Sequence, residues 1–148
     1  MKQKLFMLFG LLLLANTVQA QFSISGLELG KTYTYDEIKE AIESRTAADI
    51  ISQIDSCGHR TLRFGSDYFV FDSDWHFRGF FIESRQFEVK AHTVLFGVED
   101  AIPLLAYIKN SRLEWKQPRL FYLYLEEVDK PVRIHYKNNR IEMISFSY

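Results

Sequence analysis

Apolar and polar residues alternate strictly from Val132 to Tyr136, and the stretch before it reads Arg119-Leu-Phe-Tyr-Leu-Tyr-Leu125. A period of two predicts strands with one side turned to a core, and Asp129-Lys130-Pro131 marks the turn between them. Two other stretches follow a helical period. Thr34-Tyr35-Asp36-Glu37 is a capping box, in which the Thr34 hydroxyl accepts from the Glu37 amide while the Glu37 carboxylate reaches back. Ile38, Ala41 and Ile42 continue it as a short apolar stripe. Ile102, Leu105, Ala106 and Ile108 keep helical spacing as well, with Pro103 in the first turn, where its missing N–H costs little. Residues 46–54 read either way: Ile50, Ile51 and Ile54 fit a helical turn, while the β-branched content fits a strand leading into His59–Phe64.

Set against itself, the chain shows a faint repeat. Phe69-Val70-Phe71 precedes Ile134-His135-Tyr136 by 65 residues, and each is followed by a polar turn, Asp72-Ser73-Asp74 or Lys137-Asn138-Asn139. A further apolar strand follows each turn, Phe77 to Ser84 and Ile141 to Tyr148, and Ile38 and Ile102 lie 64 residues apart upstream. The pattern predicts a duplication within one domain spanning 21–148, with repeat one at about 24–87 and repeat two at about 88–148. Strands outnumber helices and pair through short turns. The expected fold class is therefore α+β, two fused helix-plus-antiparallel-strand repeats with the helices on one face of the sheet.

Alternation assigns faces. If Ile134 and Tyr136 point to the helices, Arg133 and His135 point away; by the repeat, Tyr68 and Val70 do the same opposite Phe69 and Phe71. With Phe121, Leu123 and Leu125 facing in, Leu120, Tyr122 and Tyr124 face out. The open face is expected to carry Tyr68, Val70, Tyr122, Tyr124, Arg133 and His135, joined by Arg63 if Leu62 and Phe64 are core. Tyr, Arg and His on an uncovered sheet match the composition of binding surfaces. The alternative is that aromatics simply cover half-buried edges, because they favour strands. Trp75 is a further candidate binding residue, near the tip of the Asp72–His76 turn, as an exposed anchor or a staple over the core.

A Gly-bearing turn before each short helix (Leu29-Gly30-Lys31 and Phe96-Gly97-Val98), followed by aromatic-rich antiparallel strands, resembles the tandem modules of β-lactamase-inhibitor-protein-like folds. It is also similar to the single modules of small outer-membrane assembly lipoproteins of the BamE type. The shared motif reads here as Gly30, Thr34, Glu37-Ile38 and Ile141-Glu142-Met143-Ile144. Ser44-Arg45-Thr46 stands where the usual Leu-Gly-x-Pro follows the helix, and the lipid-bearing Cys and paired disulfides of those families are missing. The resemblance implies protein recognition by an aromatic sheet face.

The first twenty residues read as an address. Lys2 and Lys4 precede the apolar run Leu5–Ala15, and Val18-Gln19-Ala20 offers small residues to a signal peptidase, so residues 1–20 are an expected signal peptide cleaved before Gln21. That apolar run is well short of the roughly 20 residues that span a bilayer. One cysteine, Cys57, leaves no internal disulfide, and no Asn-x-Ser/Thr sequon occurs. Export without a disulfide framework points to a periplasmic or secreted bacterial protein. With 47% hydrophobic and 25% charged residues in 148 and a net charge of −1, the chain is neither disordered nor a nucleic-acid binder driven by bulk charge. Its 16% aromatic content is the outlier.

Catalytic patterns are sparse. Cys57-Gly58-His59 with Asp55 admits a thiol nucleophile if the imidazole reaches the sulfur. The four histidines, His59, His76, His92 and His135, are scattered, with no pair at zinc spacing. Asp72-Ser73-Asp74 begins like a calcium loop, but Trp75 and Phe77 fall where ligands belong. Glu126-Glu127 sits beside a turn as solvated charge. No metal and no cofactor are expected. The reading is an exported, non-enzymatic module that binds a protein partner in the cell envelope. The alternatives are a glycan binder stacking Trp75, Tyr68 and Tyr124 on sugar rings, and a small hydrolase using Cys57 and His59.

Overall fold

Short alternating segments dominate the fold. In a computed structural model of the chain, residues 22–126 and 128–147 are described; the expected signal peptide and its cleavage point lie outside them. Half of the described residues are strand and 12% helix. In chain order the elements are β1 (Phe22–Ile24), β2 (Leu27–Glu28), α1 (Tyr35–Glu43), β3 (Ile51–Ile54), β4 (Arg60–Phe64), β5 (Asp67–Phe71) and β6 (Phe77–Ile82). Then come β7 (Glu88–Ala91), β8 (Val94–Gly97), a 3-10 helix (Ile102–Tyr107), β9 (Ser111–Gln117), β10 (Leu120–Leu125), β11 (Val132–Lys137) and β12 (Arg140–Ser147). They build two antiparallel sheets, one of eight strands in the order β3-β4-β5-β6-β12-β11-β10-β9 and one of four in the order β2-β1-β7-β8.

The pairings recur at the offset seen in the sequence. On β5 and β6, Phe69 faces Phe80, Val70 faces Gly79 and Phe71 faces Phe77 across a bulge. On β11 and β12, Ile134 faces Ile144, His135 faces Met143 and Tyr136 faces Ile141 across a bulge at the same place. The two four-strand meanders meet at β6 and β12, where Phe81 pairs with Ser145, its own counterpart, flanked by Ile82–Ile144 and Phe80–Phe146. A local two-fold axis thus runs through the middle of the large sheet. The loops obey it too. Gly30 N–H donates to Phe77 O at 2.8 Å and Phe77 N–H to Lys31 O at 2.9 Å; Glu99 N–H donates to Ile141 O at 2.7 Å and Ile141 N–H to Asp100 O at 2.9 Å. Gly30 and Glu99 share a left-handed backbone, φ 81° and 77°.

The expected arrangement of helices on a sheet face is corrected by this architecture. A second sheet, made of hairpins β1–β2 and β7–β8, shares one buried cluster with the large sheet, and only two helices occur among the described residues. The hairpins escaped the sequence reading because strands of two to four residues are too short to display a period. The α1 helix does carry its capping box, with Thr34 N–H donating to Glu37 Oε2 at 2.7 Å and Glu37 N–H to Thr34 Oγ1 at 3.3 Å. The second helical stretch is 3-10 instead of α, and its buried residues Ile102 and Leu105 are three apart, which in a 3-10 helix puts them on one edge. Of the two readings left open for 46–54, the strand forms over Ile51–Ile54, at the edge of the large sheet.

Phenylalanine fastens the layers. Phe22 of the small sheet reaches Phe80 and Phe146 of the large one, with ring centroids 6.0 and 5.8 Å apart. Phe69 meets Phe64, Phe77 and Phe87 at 5.0, 5.4 and 5.5 Å. Ile38 and Ile42 of α1, and Ile102 and Leu105 of the 3-10 helix, join the same buried cluster. Burying one such side chain contributes about 1.5–3 kcal/mol.

Candidate functional site

Every element outside the large sheet gives its buried apolar side chains to that one cluster, so the other side of the large sheet has no described element over it. Cross-strand register draws a line across this outer face from edge to edge. Ile51, Arg63, Tyr68 and Phe81 are successive partners from β3 to β6, and Phe81 leads on to Ser145, Arg133, Tyr122 and Glu114. A second line runs Gln53, Thr61, Val70, Gly79, Ser147. His135 neighbours Met143 and Leu120, while Tyr124 neighbours Arg112.

Tyr68, Val70, Tyr122, Tyr124, Arg133 and His135 therefore share one face, and Arg63 joins them because Leu62 and Phe64 are buried on the other. Tyr68, Val70, Tyr122, Tyr124 and His135 are half-buried and Arg133 is exposed. Leu120 also turns outward by register, yet it is buried. The residues that sequence reasoning missed are Phe81, Met143 and the β9 trio Arg112, Glu114 and Lys116. Phe81 was hidden by the bulge at Arg78, which reverses the alternation after Phe77; its 64-residue counterpart Ser145 is polar and hid it further.

The rings are held in place. Tyr68 stacks on Phe81 with centroids 5.1 Å apart and planes at 4°, and the Arg63 guanidinium lies 5.0 Å from the Tyr68 ring centre. Arg112 lies 4.4 Å over Tyr124, and Lys116 ammonium 5.5 Å from Tyr122. Such contacts are worth about 0.5–1 kcal/mol at exposed sites, enough to bias the rotamers before anything binds. Glu114 is shared by Arg112, at 3.5 Å, and Lys116; the Lys116 ammonium holds its carboxyl below the usual range. Burial, and then the charge of Arg133, push the His135 imidazole down against the opposing pull of Glu142.

Trp75 takes a different place from the other sequence candidates. Its ring packs on the core side against Phe71 and Tyr35, both at 5.7 Å, with the Arg60 guanidinium 4.6 Å over it. It is the staple of the two roles considered for it, and it does not line the outer face.

Two shallow depressions open at the rims of the face. One of about 590 Å3 is lined by Ser66, Glu83, Val98, Glu99, His135, Glu142 and Met143. The other, about 450 Å3, is lined by His59, Val70, Asp72, Arg78, Gly79 and Ser147. At the latter, Asp72 Oδ1 accepts from Asp74 N–H and His76 N–H, both at 3.0 Å, and Oδ2 accepts from Arg78 Nε and Nη2 at 3.0 and 2.8 Å. Ligand atoms of Asp72, Asp74 and His76 lie within 4.8 Å of one another, but the donors already on Asp72 make it the anchor of its turn. Burial alone raises its carboxyl; the His76 amide, the Arg78 guanidinium, the His76 ring and the Asp74 amide outweigh that and hold it far below the usual range. A depressed carboxyl stabilises the fold above its unfolded value of about 3.9 and loses that effect as pH falls from there toward the folded value. Asp72→Asn is accordingly expected to lower stability at pH 7, with the gap to wild type narrowing below about pH 4. Urea midpoints at several pH values check this, and a gap of constant size contradicts it.

Cys57 is exposed at the β3–β4 turn. Its N–H and that of His59 donate to Asp55 Oδ1 at 2.8 and 2.9 Å, and His59 Nδ1 lies 3.3 Å from Asp55 Oδ2. The imidazole is thus engaged with the carboxylate that closes the turn. No helix among the described residues is long and apolar enough to cross a membrane. No protein-family model, characterised protein or solved structure matches the chain.

Proposed function

We propose that the chain is an exported, non-enzymatic binding module of the inhibitor-like or envelope-accessory kind, which docks a protein partner on the outer face of its eight-stranded sheet. One observation carries the reading: Arg63, Tyr68, Phe81, Arg133 and Tyr122 lie on one cross-strand line of a face with no described element over it. Tyr and Arg are the side chains that most often dominate binding energy, and rings already fixed by stacking lose little entropy on contact. Because Trp75 sits on the core side, it does not combine with Tyr68 and Tyr124 into a sugar-stacking surface, and the protein-binding reading is preferred.

The test is site-directed photo-crosslinking in the periplasmic fraction of the host. Benzoylphenylalanine at position 122 is expected to give one major protein adduct, and the same probe at exposed Glu40 on α1 none. Tyr124→Ala together with Tyr68→Ala is expected to reduce the adduct at least tenfold with the circular dichroism spectrum unchanged. Adducts of equal yield from positions 122 and 40 refute the assignment of the face.

A further inference from the structure

We infer that the partner presents an acidic protein surface, with carboxylates placed on either side of an apolar centre. The inference rests on the outer face being the working surface and adds the chemistry of what it meets.

Charge is the first reason. The chain as a whole is slightly acidic, with a formal net charge of −1. The two cross-strand lines that hold the rings reverse that sign, with Arg63, Arg133, Arg112 and Lys116 against Glu114, while Glu83, Glu99 and Glu142 line the depression at the rim beside His135. Glu114 is already divided between Arg112 and Lys116. No carboxylate lies within ion-pair distance of Arg63 or Arg133 among the described residues, and both side chains are exposed. Cations left without a carboxylate beside rigid rings are the half of an interface that an acidic partner completes.

Spacing is the second. Arg63 on β4 and Arg133 on β11 occupy one cross-strand line four strands apart, a separation of roughly 19 Å at the ordinary strand spacing. Tyr68 and Tyr122 follow them at the same interval. The line therefore holds two Arg–Tyr pairs, and between them lie Phe81 and Ser145, with half-buried Val70 and Met143 alongside. A polyanion with charge at every unit would leave this apolar middle unused. A folded protein surface with separated carboxylates and an apolar centre uses all of it.

The experiment is the crosslinking at position 122 in the full chain, repeated at 50 and 300 mM NaCl, with poly-L-glutamate or poly-L-lysine as competitor. The adduct is expected to fall at least tenfold in Arg63→Glu/Arg133→Glu, at least fivefold at the higher salt, and with poly-L-glutamate but not poly-L-lysine. Charge reversal at Lys39 and Arg45, on the α1 side, is expected to leave it unchanged. If the adduct forms from position 122 and survives both Arg63→Glu/Arg133→Glu and high salt, the acidic partner is refuted while the docking face stands. If position 122 yields no adduct under any condition, the docking face itself is refuted. An adduct removed by nuclease in place of protease overturns the protein partner.

Discussion

Alanine at position 79 is expected to cost about 3 kcal/mol and to lower the melting temperature by roughly 10 °C. A Cβ on Gly79 would stand 2.4 Å from Phe146 O and 3.0 Å from the Ser147 Cα. Both atoms are backbone of β12, the strand through which the second half of the molecule pairs with the first. No side chain can swing aside to relieve the contact. Either β12 moves away from β6, or the Gly79–Ser147 end of that ladder opens. Gly26 supplies the comparison: it has φ 81° and nothing within 4 Å of its added Cβ, so Gly26→Ala introduces backbone strain without a clash, about 1 kcal/mol. Urea denaturation of both variants separates the two effects. A Gly79→Ala loss no larger than that of Gly26→Ala means that β12 yields, and the joint between the halves is softer than its geometry implies.

That joint bears on the outer face directly. Gly79 lies on the face between Val70 and Ser147, and Phe81, two residues on, is at the centre of the Arg–Tyr line. A variant that opens β6 from β12 separates Arg63 and Tyr68 from Arg133 and Tyr122 even where each half keeps its own hairpins. On the proposed docking function, loss of binding in Gly79→Ala would belong to the joint, whereas loss in Arg63→Glu/Arg133→Glu would belong to the surface.

Strand alternation was the legible part of the sequence. The face of Tyr68, Val70, Tyr122, Tyr124, Arg133 and His135 follows from a period of two wherever a strand runs five or more residues without a bulge. Phe81 was lost because Arg78 inserts one residue and shifts the parity. The helix-on-sheet layer was overturned because a second sheet packs into the same core, built of strands such as Leu27–Glu28 that carry no period, while the two helical stretches announced themselves with a cap and a proline. Trp75 was ambiguous for a different reason. Its φ of 63° is set by the turn that Asp72 closes, and no local pattern says which side of the sheet a residue in that conformation will take.

Asp67→Ala is expected to destabilise the protein by about 3–4 kcal/mol, a loss that its position after the Gly65-Ser66 turn would not suggest. Asp67 is 1% exposed, and the corresponding residue in the second half, at the 65-residue offset, is Val132, a plain core side chain. Its carboxylate is held by donors from the two residues that follow β6. Oδ1 accepts from Glu83 N–H at 2.7 Å and Ser84 N–H at 3.0 Å, and Oδ2 accepts from the Ser84 hydroxyl. Truncation leaves two part-buried amides and a hydroxyl without this acceptor, and an unsatisfied donor of this kind costs about 1–3 kcal/mol. Asp67→Asn retains one oxygen where both amides converge and is expected to cost only about 1 kcal/mol. Amide hydrogen exchange distinguishes this account from a simple cavity. Protection is expected to vanish first at Glu83 and Ser84 in Asp67→Ala, whereas uniform loss across β5 and β6 would make the residue a space-filler whose charge is incidental. Because Glu83 also borders the depression beside His135 and Met143, release of this corner is expected to loosen one rim of the outer face while the Arg–Tyr line at its centre remains.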